Sequence, residues 1–190
     1  GLCAGALFPV CVSAQKMVME DDFQGYSAGQ LILKGGNYEL ITNSMASDKL
    51  EIASEGENLY MKAQFLGKTA MKQYFGKNNI NFAEDVKLSF KVKVVKGKRS
   101  DITIETDGFA RMSLMRFYNG NIYVLSGIKE IKLGKYKENT WYDVSLEISN
   151  GSMKVTAGEY TRTVKLPLKL VANQNLYFMM NNHGFSSEVQ

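Results

Sequence analysis

After residue 20, apolar and polar positions alternate with a period of two along most of the chain. In Val86-Lys-Leu-Ser-Phe-Lys-Val-Lys-Val94, residues Val86, Leu88, Phe90, Val92 and Val94 fall on one side of an extended strand. Lys87, Ser89, Lys91 and Lys93 fall on the other. One side in a core and one in water is the signature of an antiparallel sheet packed on one face. Trp141-Tyr-Asp-Val-Ser-Leu-Glu-Ile148 repeats it, with Val144, Leu146 and Ile148 inward and Asp143, Ser145 and Glu147 outward. Leu59, Met61, Ala63 and Phe65 alternate with Tyr60, Lys62 and Gln64. Helical periodicity is nearly absent, and a single short helix is expected near Thr69–Tyr74.

The turn chemistry agrees with the alternation. Asn119-Gly120 and Asn150-Gly151 each separate two alternating runs, and both residue types tolerate the positive φ of a tight hairpin turn. Gly158-Glu159 separates a third pair, so residues 141–164 read as a three-strand meander. Further turns are expected at Gly35-Gly-Asn37, Gly76-Lys-Asn-Asn79 and Lys96-Gly-Lys98. Short strands at this spacing, without a linker or internal repeat, predict an all-β, two-sheet antiparallel sandwich of jelly-roll type over residues 15–190.

The first fourteen residues differ. Gly1–Ala14 carries no charge, and Val12-Ser13-Ala14 has the small-residue spacing of a signal-peptidase site. The segment reads as the remnant of a secretory signal peptide; the alternative is a buried first strand closed by a Cys3–Cys11 disulfide. It is too short to span a bilayer, which takes roughly 20 apolar residues. With the signal removed, no cysteine remains after Gln15, so a disulfide framework and a thiolate site are both excluded. An exported bacterial protein, extracellular, periplasmic or on the cell surface, is the expectation.

Composition narrows the partners. Apolar residues make up 45% and charged residues 22% of the 190, which is ordinary globular chemistry. The charge of +4 comes from 23 basic and 19 acidic residues spread along the chain. The densest basic run, Lys91–Arg99, has its lysines alternating with valines and reads as a wet strand face; no nucleic-acid partner is expected.

Four stretches resemble the concanavalin A-like lectin/glucanase superfamily, particularly its laminin-G-like bacterial modules. Glu20-Asp-Asp-Phe-Gln-Gly-Tyr26 resembles the opening strand, and Phe117-Tyr-Asn-Gly-Asn-Ile122 the central hairpin. Lys135-Tyr-Lys-Glu-Asn-Thr-Trp-Tyr-Asp-Val-Ser-Leu146 resembles the loop that leads into Trp-x-x-Val-x-Leu. Asn175-Leu-Tyr-Phe-Met179 resembles the penultimate strand. The departure is at the close: such domains end in a strand with an Asp-Asn or Asp-Asp pair, and Ser186–Gln190 lacks one. The resemblance implies a jelly roll and a saccharide partner.

Catalytic signatures are weak. Retaining glycosidases need two carboxyl groups roughly 5–5.5 Å apart. Asp143 and Glu147, four residues apart on one strand, would stand about 13 Å apart, and Asp101/Glu105 has the same spacing. A polysaccharide lyase would need a Tyr or His base beside cations; His183 in a Gly/Asn turn, with Arg111, Arg116, Tyr118 and Tyr123, is the nearest assembly. No Gly-x-Ser-x-Gly elbow, phosphate loop or dinucleotide fingerprint is present, and one histidine without cysteines excludes ordinary zinc ligation. No cofactor is expected, apart from a structural calcium held by Asp21 and Asp22, against which stands a solvated acidic strand start.

Binding chemistry is better served. Leu176, Phe178 and Met180 read inward, leaving Tyr177 and Met179 outward; Arg116 and Tyr118 share a face of the central hairpin, with Met112 and Leu114 lower on it. Outward aromatics beside Arg and Asn suit a sugar platform, the rings stacking on C–H faces and the polar groups fixing hydroxyls. The expected ligand-binding set is Arg116, Tyr118, Tyr123, Tyr177, Asn181 and His183, and the expected function a secreted carbohydrate-binding or surface-interaction module without catalysis. A hydrolase or lyase with an unrecognised site, and a structural envelope protein that meets a partner protein or neighbouring domain on such a face, are the alternatives.

Overall fold

A computed structural model describes residues 20–30, 41–42, 49–65, 72–82, 84–96, 99–105, 111–166, 174–181 and 187–189. Residues 1–14, the Gly35–Asn37 turn and His183 lie outside these. Among the described residues every strand pair is antiparallel, and there is no helix. The strands are β1 (Ile41–Thr42), β2 (Lys49–Glu55), β3 (Asn58–Phe65), β4 (Lys72–Ile80), β5 (Val86–Lys96), β6 (Arg99–Glu105) and β7 (Arg111–Tyr118). They continue with β8 (Asn121–Ser126), β9 (Lys129–Lys135), β10 (Trp141–Ser149), β11 (Ser152–Ala157), β12 (Tyr160–Lys165), β13 (Gln174–Asn181) and β14 (Ser187–Val189).

They form two seven-stranded sheets, ordered β1-β4-β13-β6-β7-β8-β9 and β12-β11-β10-β5-β14-β3-β2. This is the two-sheet sandwich that the alternation predicts. Both Asn-Gly pairs make tight hairpins with positive φ throughout: 47° and 76° at Asn119-Gly120, 48° and 70° at Asn150-Gly151. The meander β10-β11-β12 follows, turning at Gly158. The closing segment is β14, three residues seated between β3 and β5.

The inward residues of both sheets make one core. Ile52, Leu114, Met115, Ile122, Val124, Leu146, Met153 and Val155 are essentially sealed from solvent. Phe90 of the second sheet meets Phe178 of the first edge-on, with ring centroids 5.1 Å apart. Each such side chain contributes roughly 1.5–3 kcal/mol by leaving water. Below the β7–β8 hairpin, Phe117 packs edge-on against Tyr136 at 5.4 Å, and the Tyr136 amide donates to the Gly120 carbonyl at 3.0 Å.

Burial raises the Tyr136 phenol above its ordinary 10.0, the Glu138 charge adds to this, and a backbone hydrogen bond at Gly120 opposes it. A phenol whose folded value is raised gives stability that is fully present below 10.0 and lost as pH rises through the folded value. Tyr136→Phe is therefore expected to flatten the alkaline limb of a denaturant-midpoint against pH curve. An unchanged limb would place the alkaline loss elsewhere.

Three expectations change in the structure. Residues Lys72–Tyr74, expected to be helical, belong to β4, and Thr69–Met71 lie outside the described residues. The turn expected at Gly76–Asn79 is also strand, because β4 pairs along β13 as far as Ile80. Non-local pairing overrides local preference here, as it commonly does in sheets. The third is Lys93, placed in water by alternation, yet only 8% exposed. Its ammonium lies 4.9 Å from the Trp141 ring centroid and 5.7 Å from that of Tyr60, and donates to Glu55 Oε2 at 2.9 Å. The two rings meet nearly perpendicular, 5.6 Å apart, so the cation is enclosed rather than solvated. Trp141 thus packs against Lys93 and Tyr60.

Candidate functional site

The alternation that buries Met115, Phe117, Ile122 and Val124 turns Arg116, Tyr118, Asn121 and Tyr123 to the far side of the first sheet. Register lines these up with distant strands. One cross-strand row runs Tyr74, Met179, Asp101, Arg116, Tyr123, Lys132 through β4, β13, β6, β7, β8 and β9. A second joins Arg99, Tyr118, Asn121 and Lys135. A third passes through Gly76, Tyr177, Thr103 and Ser113. Asn181 pairs with Lys72, one step beyond the Met180–Ser100 pair and next to the Arg99–Tyr118 row. At about 4.8 Å per strand, β13 to β9 spans about 19 Å, a length for an oligosaccharide rather than one ring.

The sheet therefore brings Arg116, Tyr118, Tyr123, Tyr177 and Asn181 together, although Asn181 is more than fifty residues from Tyr123 in sequence. Tyr118 is 41% exposed, and Tyr123 is partly so. The Arg116 side chain is 15% exposed and its Nη1 donates to Glu130 Oε1. That bond holds the planar guanidinium in one orientation on the face, which suits it to present fixed donors. Neither Glu130 nor Lys132 stands out in the sequence, although the alternation of Lys129–Lys135 carries the signal for both.

Two bulges flank the first row. Leu114 is the extra residue of β7, between Ser113–Thr103 and Met115–Ile102. Leu133 is the extra residue of β9, between Lys132–Tyr123 and Gly134–Ile122. Bulges re-aim the side chains beside them. The β7 bulge also corrects an expectation: Leu114 does not continue the Arg116 face but is buried, at 1% exposure.

The other candidates are accounted for locally. Asp143 lies 3.6 Å from Lys91, and Glu147 lies 3.7 Å from Lys87 and 3.9 Å from Lys154, all solvated pairs on the second sheet. Asp21 Oδ1 accepts from the Phe23 amide at 2.8 Å and its Oδ2 from the Tyr26 hydroxyl at 3.2 Å; Asp22 Oδ1 accepts from the Gln24 amide at 3.0 Å. These carboxylates cap their own turn beside an open cleft of about 500 Å³. Burial, then the Asp21 charge and hydrogen bond, raise the Tyr26 phenol above 10.0. Among the described residues no three His, Cys, Asp or Glu are placed to hold a metal, and no helix is long and apolar enough to cross a membrane.

No family model matches the sequence, and no curated protein matches it either. Solved structures match the fold. A sialidase superposes with a TM-score of 0.65 at 14% identity, over 90% of this chain and 17% of its own. A family 7 alginate lyase solved with its product gives 0.54 at 15% identity, over 73% of this chain and 79% of its own. The exoplasmic/lumenal domain of VIP36, bound to calcium and Man3GlcNAc, gives 0.54 at 8% identity, over 80% of both chains. The chain has the concanavalin A-like jelly-roll fold. It spans about a sixth of the sialidase chain that it matches.

Proposed function

We propose that this protein is a non-catalytic carbohydrate-binding module, working outside the cytoplasm, that takes a glycan along the far side of its first sheet. The observation that carries the reading is the Arg116–Tyr123–Lys132 row, a tyrosine between two cations with Glu130 holding the guanidinium. Tyrosine stacks on the apolar side of a sugar ring, and the flanking cations favour a glycan bearing carboxylate or sulfate. Support for a module comes from the sialidase, where the matched sandwich is a small part of a longer chain.

The test is affinity electrophoresis against neutral and acidic polysaccharides. Arg116→Ala and Tyr123→Ala are each expected to weaken retardation by the acidic polymers about tenfold or more, the effect of losing about 1.5 kcal/mol of hydrogen bonding to a charged group or of stacking. Retardation unchanged in both variants would overturn the assignment of the face.

A second reading, a polysaccharide lyase on the same face, is favoured by the match to the alginate lyase, which covers 79% of that protein's chain, and by tyrosines close to Arg116 that could serve as base. Lyase action leaves an unsaturated sugar that absorbs in the ultraviolet. A steady rise in absorbance on mixing with a uronate polymer would replace the binding-module reading.

A further inference from the structure

We infer that β12, the edge strand of the second sheet, positions the saccharide face of the first, with Arg162 and Tyr160 as its positioning residues. The inference rests on the reading above and names what holds that face in shape. Among the described residues, strand β9, which carries Glu130 and Lys132, is the edge of the first sheet: it pairs there only with β8, and that ladder is broken at Leu133. A bulged edge strand with one neighbour is weakly held by its own sheet.

The missing restraint comes from the other sheet through three contacts. Arg162 Nη1 donates to the Lys132 carbonyl at 3.2 Å. Ser126 Oγ, at the end of β8, donates to the Lys165 carbonyl at 2.6 Å. The Tyr160 ring lies directly against Gly134, so close that a Cβ there would come within 2.4 Å of a ring carbon. The register explains the reach of Arg162. It stands opposite Val155, which is fully buried, and so on the inward side of β12, from which its long side chain extends across the edge to β9.

The line of force is short. Arg162 holds the backbone of Lys132, Lys132 lies opposite Tyr123, and Glu130 two residues away holds Arg116. Tyr160 lies against Gly134, the residue that follows the bulge.

The experiment compares Arg162→Met, which keeps the stem and loses the donors, with Arg162→Lys and Gly134→Ala. The readouts are the dissociation constant for the polysaccharide that retards the wild type, and amide hydrogen exchange of residues 129–135 against 144–157. Arg162→Met is expected to weaken binding about three- to tenfold, the range of one hydrogen bond, and to speed exchange in β9 while β10 and β11 keep their rates. Arg162→Lys should recover part of both effects, and Gly134→Ala should reproduce them by displacing the ring. Unchanged β9 exchange, or unchanged binding while Arg116→Ala still weakens retardation, would overturn the positioning role. Retardation unchanged by both Arg116→Ala and Tyr123→Ala overturns the face itself, and is told apart because β9 exchange still responds to Arg162→Met.

Discussion

Lys93→Glu is expected to lower the unfolding free energy by about 3–5 kcal/mol, the range for an uncompensated charge left in a buried site. The wild-type ammonium sits over the faces of Trp141 and Tyr60, whose negative π clouds attract a cation and repel an anion. It also donates to Glu55, so a glutamate at position 93 would replace an attraction by a repulsion at close range. Lys93→Met provides the contrast. It keeps the stem beneath the two rings and leaves Glu55, with 63% of its side chain exposed, free to turn to water, so its effect should stay within about 1 kcal/mol. Urea unfolding of both variants checks this. Equal losses would mean that the site needs the shape of lysine and not its charge.

The pH dependence follows from the same cluster. The hydrogen bond from Lys93, then its charge, hold the Glu55 carboxyl below its ordinary 4.5. A group with a depressed folded value gives stability present above the unfolded value and lost as pH falls through the folded one. The wild type should therefore lose the Lys93–Glu55 contribution only below pH 4.5. In Lys93→Glu the sign reverses. The introduced carboxyl is raised by burial and by Glu55, so the variant should regain stability on mild acidification.

Leu146→Ala is expected to cost about 3–5 kcal/mol. Leu146 is fully buried, pairs with Leu88 on one side and Val155 on the other, and sits midway along a strand with neighbours on both edges. Its surroundings are held by two ladders and cannot collapse into the space, so the cavity adds to the lost transfer energy. Ser145→Ala, one residue away on the outer side, should change stability by no more than about 0.5 kcal/mol. Comparable losses at both positions would contradict the register. Thermal or urea unfolding of the pair reads the difference directly.

These two sites divide what can be learned without coordinates. Leu146 is legible as core from the chain alone, because side chains on a strand alternate and only one side can be dry. Lys93 obeys the same alternation and is still enclosed, since its neighbours Tyr60 and Glu55 arrive from β3 and β2, more than thirty residues away. The same holds for β4: Gly76–Asn79 is a good local turn, and β13 makes it a strand.

For the candidate site, the tyrosines and Arg116 were legible as outward groups on two hairpin strands. Their assembly with Tyr177 and Asn181 was not, because it depends on β13 entering between β4 and β6. Nor were the bulges at Leu114 and Leu133, each of which shifts alternation by one residue through the partner strand. By itself the sequence determined the strand class, the inward sets and the two Asn-Gly hairpins, all consequences of local backbone sterics and a two-residue period. Strand order, the bulges, the burial of Lys93 and the grip of β12 on β9 were decided by tertiary structure, because each is a contact between segments that nothing along the chain brings together.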